Sequence, residues 1–274
     1  MPFLFVVLYG LLSGFFDVLP VSSFAHQTVF QTIFGVEGPL HLYKLIVHLA
    51  SISALIFALR PNITALLREQ RLLSLPRRRM QSDRKFTYEL RFVKTAMIAA
   101  SVSTFLMLFI GNKSQSLLLT GILCVVNGVI VLVPEYLPIG NKTAKHMNKL
   151  DAVSFGLIGG LGVFPGISRI ATMQCYANLR GVERSKSSTW ALLTAIPVIT
   201  VLIFFDIIGM FTVGIGAVSF LSVLCFVLGA VLSFIGTFAG VTLVRFLSAK
   251  IGFVGFGYYN VGIGLVIFFL YLTV

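Results

Sequence analysis

The sequence predicts an all-α, polytopic membrane protein with six full transmembrane helices plus two re-entrant helical hairpins in an inverted repeat. Three observations carry that expectation. Hydrophobic residues fill 57% of 274 positions and charged residues 11%, with a mean hydropathy of +0.98, well beyond what burying a soluble core of this length requires. Apolar runs of membrane-crossing length recur along the chain, and most Lys and Arg residues gather in loops beside those runs.

Residues 1–41 begin with an apolar stretch that lacks the basic start and small-residue cleavage site of a secretory signal, so it is expected to remain part of the fold. A helix needs about 20 mainly apolar residues to cross the hydrocarbon. Runs of that kind fall at 42–59, 92–110, 115–133, 188–209, 218–244 and 251–273. Between the first two, residues 60–91 hold nine Lys or Arg, including Arg77, Arg78 and Arg79, against three acids. Further basic groups are Lys142, Lys145 and Lys149; Arg180, Arg184 and Lys186; and Arg245 with Lys250. The formal charge is +12, but 17 of the 21 basic residues lie in these four loops. That distribution describes cytoplasmic loops in contact with anionic lipid rather than a nucleic-acid surface. Cys124, Cys175 and Cys225 sit singly in apolar surroundings, without metal-ligand spacing, and read as packing residues.

Two short segments do not fit the simple pattern. If 134–150 and 180–187 are both cytoplasmic, residues 151–179 must leave and return on one side, yet two crossings would need about 40 residues. A hairpin of half-helices fits instead. The same reasoning makes residues 1–41 a hairpin entering from outside, because 42–59 must deliver Arg60 to the cytoplasm. At an offset of 145, Gly14, Val18, Pro20 and Ser23 fall opposite Gly159, Val163, Pro165 and Ser168. Oppositely entering copies have the form of an inverted repeat, whose broken helices meet around a site. The expected organisation is therefore a single membrane domain, 1–274, with halves about 1–133 and 134–274. The competing account is packing: Gly10 with Gly14, and Gly156 with Gly160, are also small-xxx-small pairs suited to close helix contact.

Ionisable groups deep in a bilayer cost roughly 2.5–3.5 kcal/mol each, so they are paired or line a wet cavity. The hairpins contain Asp17, His26 and Arg169. A proline that breaks one half-helix, followed by a serine that opens the next, leaves backbone N–H groups facing a gap where an anion can bind. Pro20-x-x-Ser23 and Pro165-x-x-Ser168 both have this form, and facing copies would cradle a phosphate. Arg169 adds a planar fork for phosphate oxygens and transition-state charge; the alternative is a structural ion pair with Asp17. His26 lies one turn from Ser23 and is open to three readings: nucleophile, general acid or base, and hydrogen-bonded core residue. His48, in mid-span, reads as half of an interhelical hydrogen bond, with cavity lining as the alternative, and Asp206 as an interfacial residue near a span end.

At these residues the chain resembles the bacterial undecaprenyl-diphosphate phosphatases. Leu19, Pro20, Val21, Ser22 and Ser23 with His26 look like that family's first motif, and Pro165, Gly166, Ser168 and Arg169 look like its second. Leu193, Thr194, Ala195, Ile196 and Pro197 resemble a downstream segment. The resemblance implies a site open to the outer face of the bacterial inner membrane, and hydrolysis of polyprenyl diphosphate to the monophosphate carrier of cell-wall synthesis. It implies His26, Arg169, Ser23 and Asp17 as catalytic residues, and Ser22, Ser168, Gly166 and Thr172 as substrate-binding residues. It further implies a divalent cation, Mg²⁺ or Ca²⁺, with Asp17 as ligand. The implied partners are the polyprenyl diphosphate and membrane lipids, not nucleic acid, and a homodimer is left open.

The chain also departs from that pattern. Where the family has two glutamates four positions apart, this sequence has Ser13 and Asp17. Its Thr-Gly before the histidine is Phe24 and Ala25 here, its Ser-Gly after the arginine is Ile170 and Ala171, and the arginine after a C-terminal tyrosine is Asn260 after Tyr259. These departures and the repeat motivate a second reading, a transporter or flippase of a polyprenyl-phosphate lipid without hydrolysis.

Overall fold

The computed structural model describes residues 3–36, 40–73, 87–111, 116–215 and 218–273. Those residues form eleven α-helices: α1 (Phe3–Asp17), α2 (Ser23–Ile33), α3 (His41–Ala58), α4 (Arg60–Leu73), α5 (Thr87–Gly111), α6 (Leu117–Leu132), α7 (Lys149–Gly159), α8 (Arg169–Leu179), α9 (Arg184–Thr212), α10 (Phe220–Lys250) and α11 (Val254–Thr273). Among the described residues, β-structure is limited to the single bridge between Lys142 and Val182. Helices α3, α5, α6, α9, α10 and α11 are long and apolar enough to cross a membrane. They match the six runs read from the sequence to within a few residues, and the chain is a multi-pass membrane protein.

Packing follows small residues. Helix α1 lies along α10, and α7 along α5. A Cβ at Gly10 would come within 2.6 Å of the Gly229 carbonyl, and one at Gly14 would run into the Ser233 carbonyl. On the other pair, Gly156 faces the Ala96 carbonyl and Gly160 faces Ser103. The small-xxx-small reading is therefore realised at both pairs, with backbones in direct contact. Helix α3 packs on α10 and α9 on α5, while α3 meets α9 and α6 meets α11. A buried cluster at the centre includes Val18, Leu19, Val21, Phe155, Ile170 and Trp190, so both motif segments are embedded in the core.

One expectation needs correction. Residues 60–91 were read as a basic loop, but 60–73 fold into α4, which turns Ile63 and Leu66 onto the core and leaves Arg60 and Arg68 exposed. Apolar residues three apart share one helix face, a signal that the charge count masked. Arg77, Arg78 and Arg79 lie outside the described residues. Asp206, six residues before the end of α9, is buried within the protein, and its Oδ2 lies 2.7 Å from His48 Nδ1. That contact is the interhelical hydrogen bond expected of His48, and it ties α3 to α9.

Candidate active site

Both motifs sit where one short helix ends and the next begins. Ser22, in extended backbone (φ −82°, ψ 109°), caps α2 by accepting the Ala25 N–H at 3.3 Å. Ser168 (φ −97°, ψ 125°) caps α8 by accepting the Ala171 N–H at 3.2 Å. A serine at this position satisfies one of the orphan donors of the first turn, and the preceding proline prevents the earlier helix from running through. Helices α2 and α8 are both 11 residues long. The two capping serines, Ser22 and Ser168, stand 146 residues apart, one more than the offset of 145 at which Gly14, Val18, Pro20 and Ser23 match Gly159, Val163, Pro165 and Ser168.

The two segments are tied to each other. Ser22 Oγ also accepts the Gly166 N–H at 2.9 Å, and Ser168 Oγ donates to the Leu19 carbonyl at 3.0 Å. Gly166 has φ +109°, and a Cβ there would lie 2.5 Å from Leu123 Cβ and 2.7 Å from the Thr120 carbonyl. Only glycine allows both that conformation and that approach to α6.

A pair of asparagines completes the junction. Asn127 of α6 accepts the Ser168 N–H at 2.9 Å and donates to the Pro20 carbonyl at 3.3 Å and to Asn260 Oδ1 at 2.9 Å. Asn260 of α11 donates to the Pro20 carbonyl at 3.0 Å and to the Phe256 carbonyl at 2.6 Å. Sequence reasoning missed Asn127, although a polar residue in the middle of so apolar a run was a usable signal. It noted Asn260 only as a departure.

The charged groups meet at the same junction. Ser23 donates to Asp17 Oδ1 at 2.6 Å, and Arg169 Nη2 stands 3.8 Å from that same oxygen. Asp17 and Arg169 are 2% and 5% exposed. The ion-pair alternative is thus partly realised, but the pair is open: Asp17 Oδ2 and Arg169 Nη1 are both buried without a hydrogen-bond partner. Phe24 supplies one further neighbour, its ring centroid 5.9 Å from the guanidinium carbon.

His26 is held by both ring nitrogens. Nδ1 lies 2.7 Å from the Ser22 carbonyl, which can only accept, so Nδ1 carries the proton and Nε2 the lone pair. Nε2 is 2.7 Å from the Tyr259 hydroxyl, which therefore donates. The imidazole is stacked on the Tyr259 ring and lies 4.0 Å from that of Phe16. Tyr259 is a site neighbour that the sequence did not single out. Thr172 Oγ1 lies within hydrogen-bond distance of the carbonyls of Ile158 (3.3 Å), Ser168 (3.1 Å) and Arg169 (3.0 Å), and its one proton goes to one of them at a time. Ser13 accepts from Gln27 Nε2 at 3.2 Å, so its position supplies a structural hydrogen bond.

A family model described as "Bacitracin resistance protein BacA" matches residues 6–266. The chain belongs to the BacA family. Among its BacA-like relatives, the "Undecaprenyl-diphosphatase" of Alkaliphilus metalliredigens is 28% identical over 243 residues, 86% of this chain and 87% of that protein. The protein of the same name from Carboxydothermus hydrogenoformans is 28% identical over 70% of this chain and 69% of its own length. "Undecaprenyl-diphosphatase 1" of Shouchella clausii is 26% identical, covering 73% and 72%.

Within this BacA site the donors do not by themselves build a divalent-cation centre. Among the described residues Asp17 is the carboxylate at this junction, its Oδ1 is already engaged by Ser23, and the cation Arg169 stands 3.8 Å from it. Mg²⁺ and Ca²⁺ take six or more oxygen ligands. Among the described residues no group of three or more His, Cys, Asp or Glu could hold a metal ion.

Proposed function

We propose that the chain hydrolyses undecaprenyl diphosphate to undecaprenyl phosphate and inorganic phosphate at the junction of the α1–α2 and α7–α8 segments. The match over residues 6–266 and the relatives named as undecaprenyl-diphosphatases support the reaction. The observation that carries the assignment to this junction is Arg169. It is buried beside two serine-capped helix starts, with Nη1 lacking any hydrogen-bond partner. A phosphate oxygen would complete it, and the first-turn N–H groups of α2 and α8 add partial positive charge.

In this reading Arg169 holds the terminal phosphate and offsets charge as the bond to the bridging oxygen breaks. Asp17 keeps Ser23 and Arg169 in place, and Ser22 and Ser168 hold the two helix starts together. His26 Nε2 carries the available lone pair: once the Tyr259 hydroxyl moves aside it either attacks phosphorus, giving a phosphoimidazole whose N–P bond water then cleaves to release inorganic phosphate, or takes the proton of the attacking water. The bridging oxygen leaves with the polyprenyl monophosphate. No step passes through a metal ion. A cation entering with the diphosphate would find Asp17 Oδ2 as the free carboxylate oxygen.

The re-entrant hairpins and the inverted repeat belong to the same proposal. Mapping α1, α2, α3, α5 and α6 onto α7, α8, α9, α10 and α11 turns the α1–α10 pair into α7–α5 and the α3–α10 pair into α9–α5. The α3–α9 and α6–α11 pairs map onto themselves. A two-fold relation between halves has that signature, and it supports divided halves of about 1–133 and 134–274. The bacterial inner membrane, where the lipid carrier of cell-wall synthesis is recycled, is the proposed location.

The test is phosphate release from undecaprenyl diphosphate by the purified, detergent-solubilised protein, beside Arg169→Ala and His26→Ala. Release by the parent and at least 100-fold less by both variants is expected, since each removes a group acting on the reacting phosphate (about 10²–10³ for such groups). Variants as fast as the parent would end the assignment.

A further inference from the structure

A second polar cavity, of about 270 Å³, lies between α3 and α9 and shares Phe24, Val163 and Pro165 with the motif segments. Its polar lining comes from His41, Lys44 and His48, spaced at i, i+3 and i+7 on α3, together with Asp206 of α9. Asp206 Oδ2 takes the His48 Nδ1–H at 2.7 Å, while its Oδ1 lies 3.7 Å from His41 Nδ1. That histidine nitrogen is buried without a hydrogen-bond partner. Among the described residues the Lys44 ammonium makes no hydrogen bond and no ion pair. Gly209 leaves room for this arrangement, because a Cβ there would run into the His41 ring.

The half-buried Lys44 and the unsatisfied His41 nitrogen face this cavity together, in a chain otherwise sparing of charge, and an anion would complete both. Asp206 does not: its carboxylate is engaged by His48 and lies outside ion-pair range of Lys44. We propose that this cavity is a second phosphate-binding subsite, in which Lys44 supplies fixed charge, the His41 imidazole supplies a hydrogen bond, and His48 holds the Asp206 carboxylate. The shared chemistry is a phosphate group, either the free ion or the head of a lipid. The proposal rests on the phosphatase reading in one respect, that hydrolysis next door is the source of the phosphate. Phe24 is the common wall, touching Arg169 on one side and this cavity on the other. A phosphate leaving Arg169 would pass that ring to reach Lys44. Leu108, Leu202, Phe205 and Ile208 on the cavity wall suit an alkyl chain if the phosphate is carried by a lipid.

Equilibrium binding of radiolabelled inorganic phosphate to the full chain in detergent tests this, with Lys44→Gln, Lys44→Arg and Arg169→Ala alongside. The expected result is two classes of site in the parent. Lys44→Gln weakens one at least tenfold, Lys44→Arg restores it, and Arg169→Ala abolishes only the other. A thermal melt of each variant near that of the parent shows that the fold is intact. A single class lost in Arg169→Ala alone, or two classes unaffected by Lys44→Gln, overturns the subsite. Dodecyl phosphate assigns the source: displacement of the Lys44-dependent phosphate at tenfold lower concentration than unlabelled phosphate supports a lipid head, and equal or weaker displacement supports the free ion. Failure of the phosphatase reading looks different. The parent would then release no phosphate from undecaprenyl diphosphate while Lys44-dependent binding persisted.

Discussion

Asn127→Ala removes three hydrogen bonds at the junction between the motifs, and its cost can be worked bond by bond. The Ser168 N–H loses its partner, as does Asn260 Oδ1, while the Pro20 carbonyl keeps Asn260 Nδ2 at 3.0 Å. Two buried groups are therefore stranded, at about 1–3 kcal/mol each, or roughly 2–6 kcal/mol in all. At roughly 2–4 °C per kcal/mol for a chain of this size, the melting temperature should fall by about 4–24 °C. Activity should fall further than stability alone requires, because Ser168 caps the helix that begins with Arg169 and a loosened cap lets the guanidinium drift. Asn127→Asp separates polarity from size. It retains an acceptor for the Ser168 N–H but turns an acceptor toward the Pro20 carbonyl and Asn260 Oδ1, so it should be no better than alanine. Thermal unfolding in detergent and phosphate release below the melting temperature are the two assays. An Asn127→Ala protein with the parent's melting temperature and turnover would refute the role of this clasp.

Four further outcomes follow from the same geometry. Ser22→Ala removes the cap of α2 and strands the Gly166 N–H, costing about 2–4 kcal/mol; unfolding in detergent measures it, and an unchanged melt contradicts it. Gly166→Ala forces a side chain into a positive-φ position against Leu123 and should lower both folding yield and activity, where wild-type yield with full turnover would show that the approach to α6 is not needed. EDTA should shift the melting temperature of the substrate-free protein by less than about 1 °C, because a protein without a built cation site gains nothing from the ion; a fall of several degrees would reveal ligands that Asp17 alone does not account for. His48→Leu breaks the tie to Asp206 and should cost near the low end of about 3–5 kcal/mol, since His41 remains beside the stranded carboxylate, and a melt equal to the parent's would remove this contact from the account of α3–α9 packing.

What could be read in advance follows the physics of each signal. The six spans were legible because hydrocarbon thickness imposes a length and an apolar composition that no other context demands. Asp17, His26 and Arg169 were legible because charge inside a membrane is expensive enough to need a reason. Helix α4 was not, since its four-turn amphipathic pattern is diluted among nine basic residues counted as one loop. The serine that caps α2 was not legible either, because Ser22 and Ser23 stand side by side and only the backbone N–H groups choose between them. Asn127, Asn260 and Tyr259 were missed for a different reason. Each has a partner more than 100 residues away in the chain, and even the polarity of Asn127 within its apolar run does not say which distant group it meets.

The division of labour at the junction explains how such a site can persist in lipid. Neutral groups hold the two motif segments together: two serine caps, two asparagines and the carbonyls of Leu19 and Pro20. Each donor named there has an acceptor, so the frame needs no ligand to be stable. The charges are treated in the opposite way. Asp17 and Arg169 stand 3.8 Å apart, and each has one buried atom left without a partner. A closed bidentate pair would be better satisfied in the resting protein, but it would leave Arg169 nothing to offer a phosphate. Keeping the pair open places the unsatisfied donor on the one group that the substrate's charge can complete. The same reasoning marks Lys44, an ammonium without a partner beside a cavity that adjoins the motifs. Arg169 is buried and Lys44 half-buried, and among the described residues these unanswered cations are where an anion is expected.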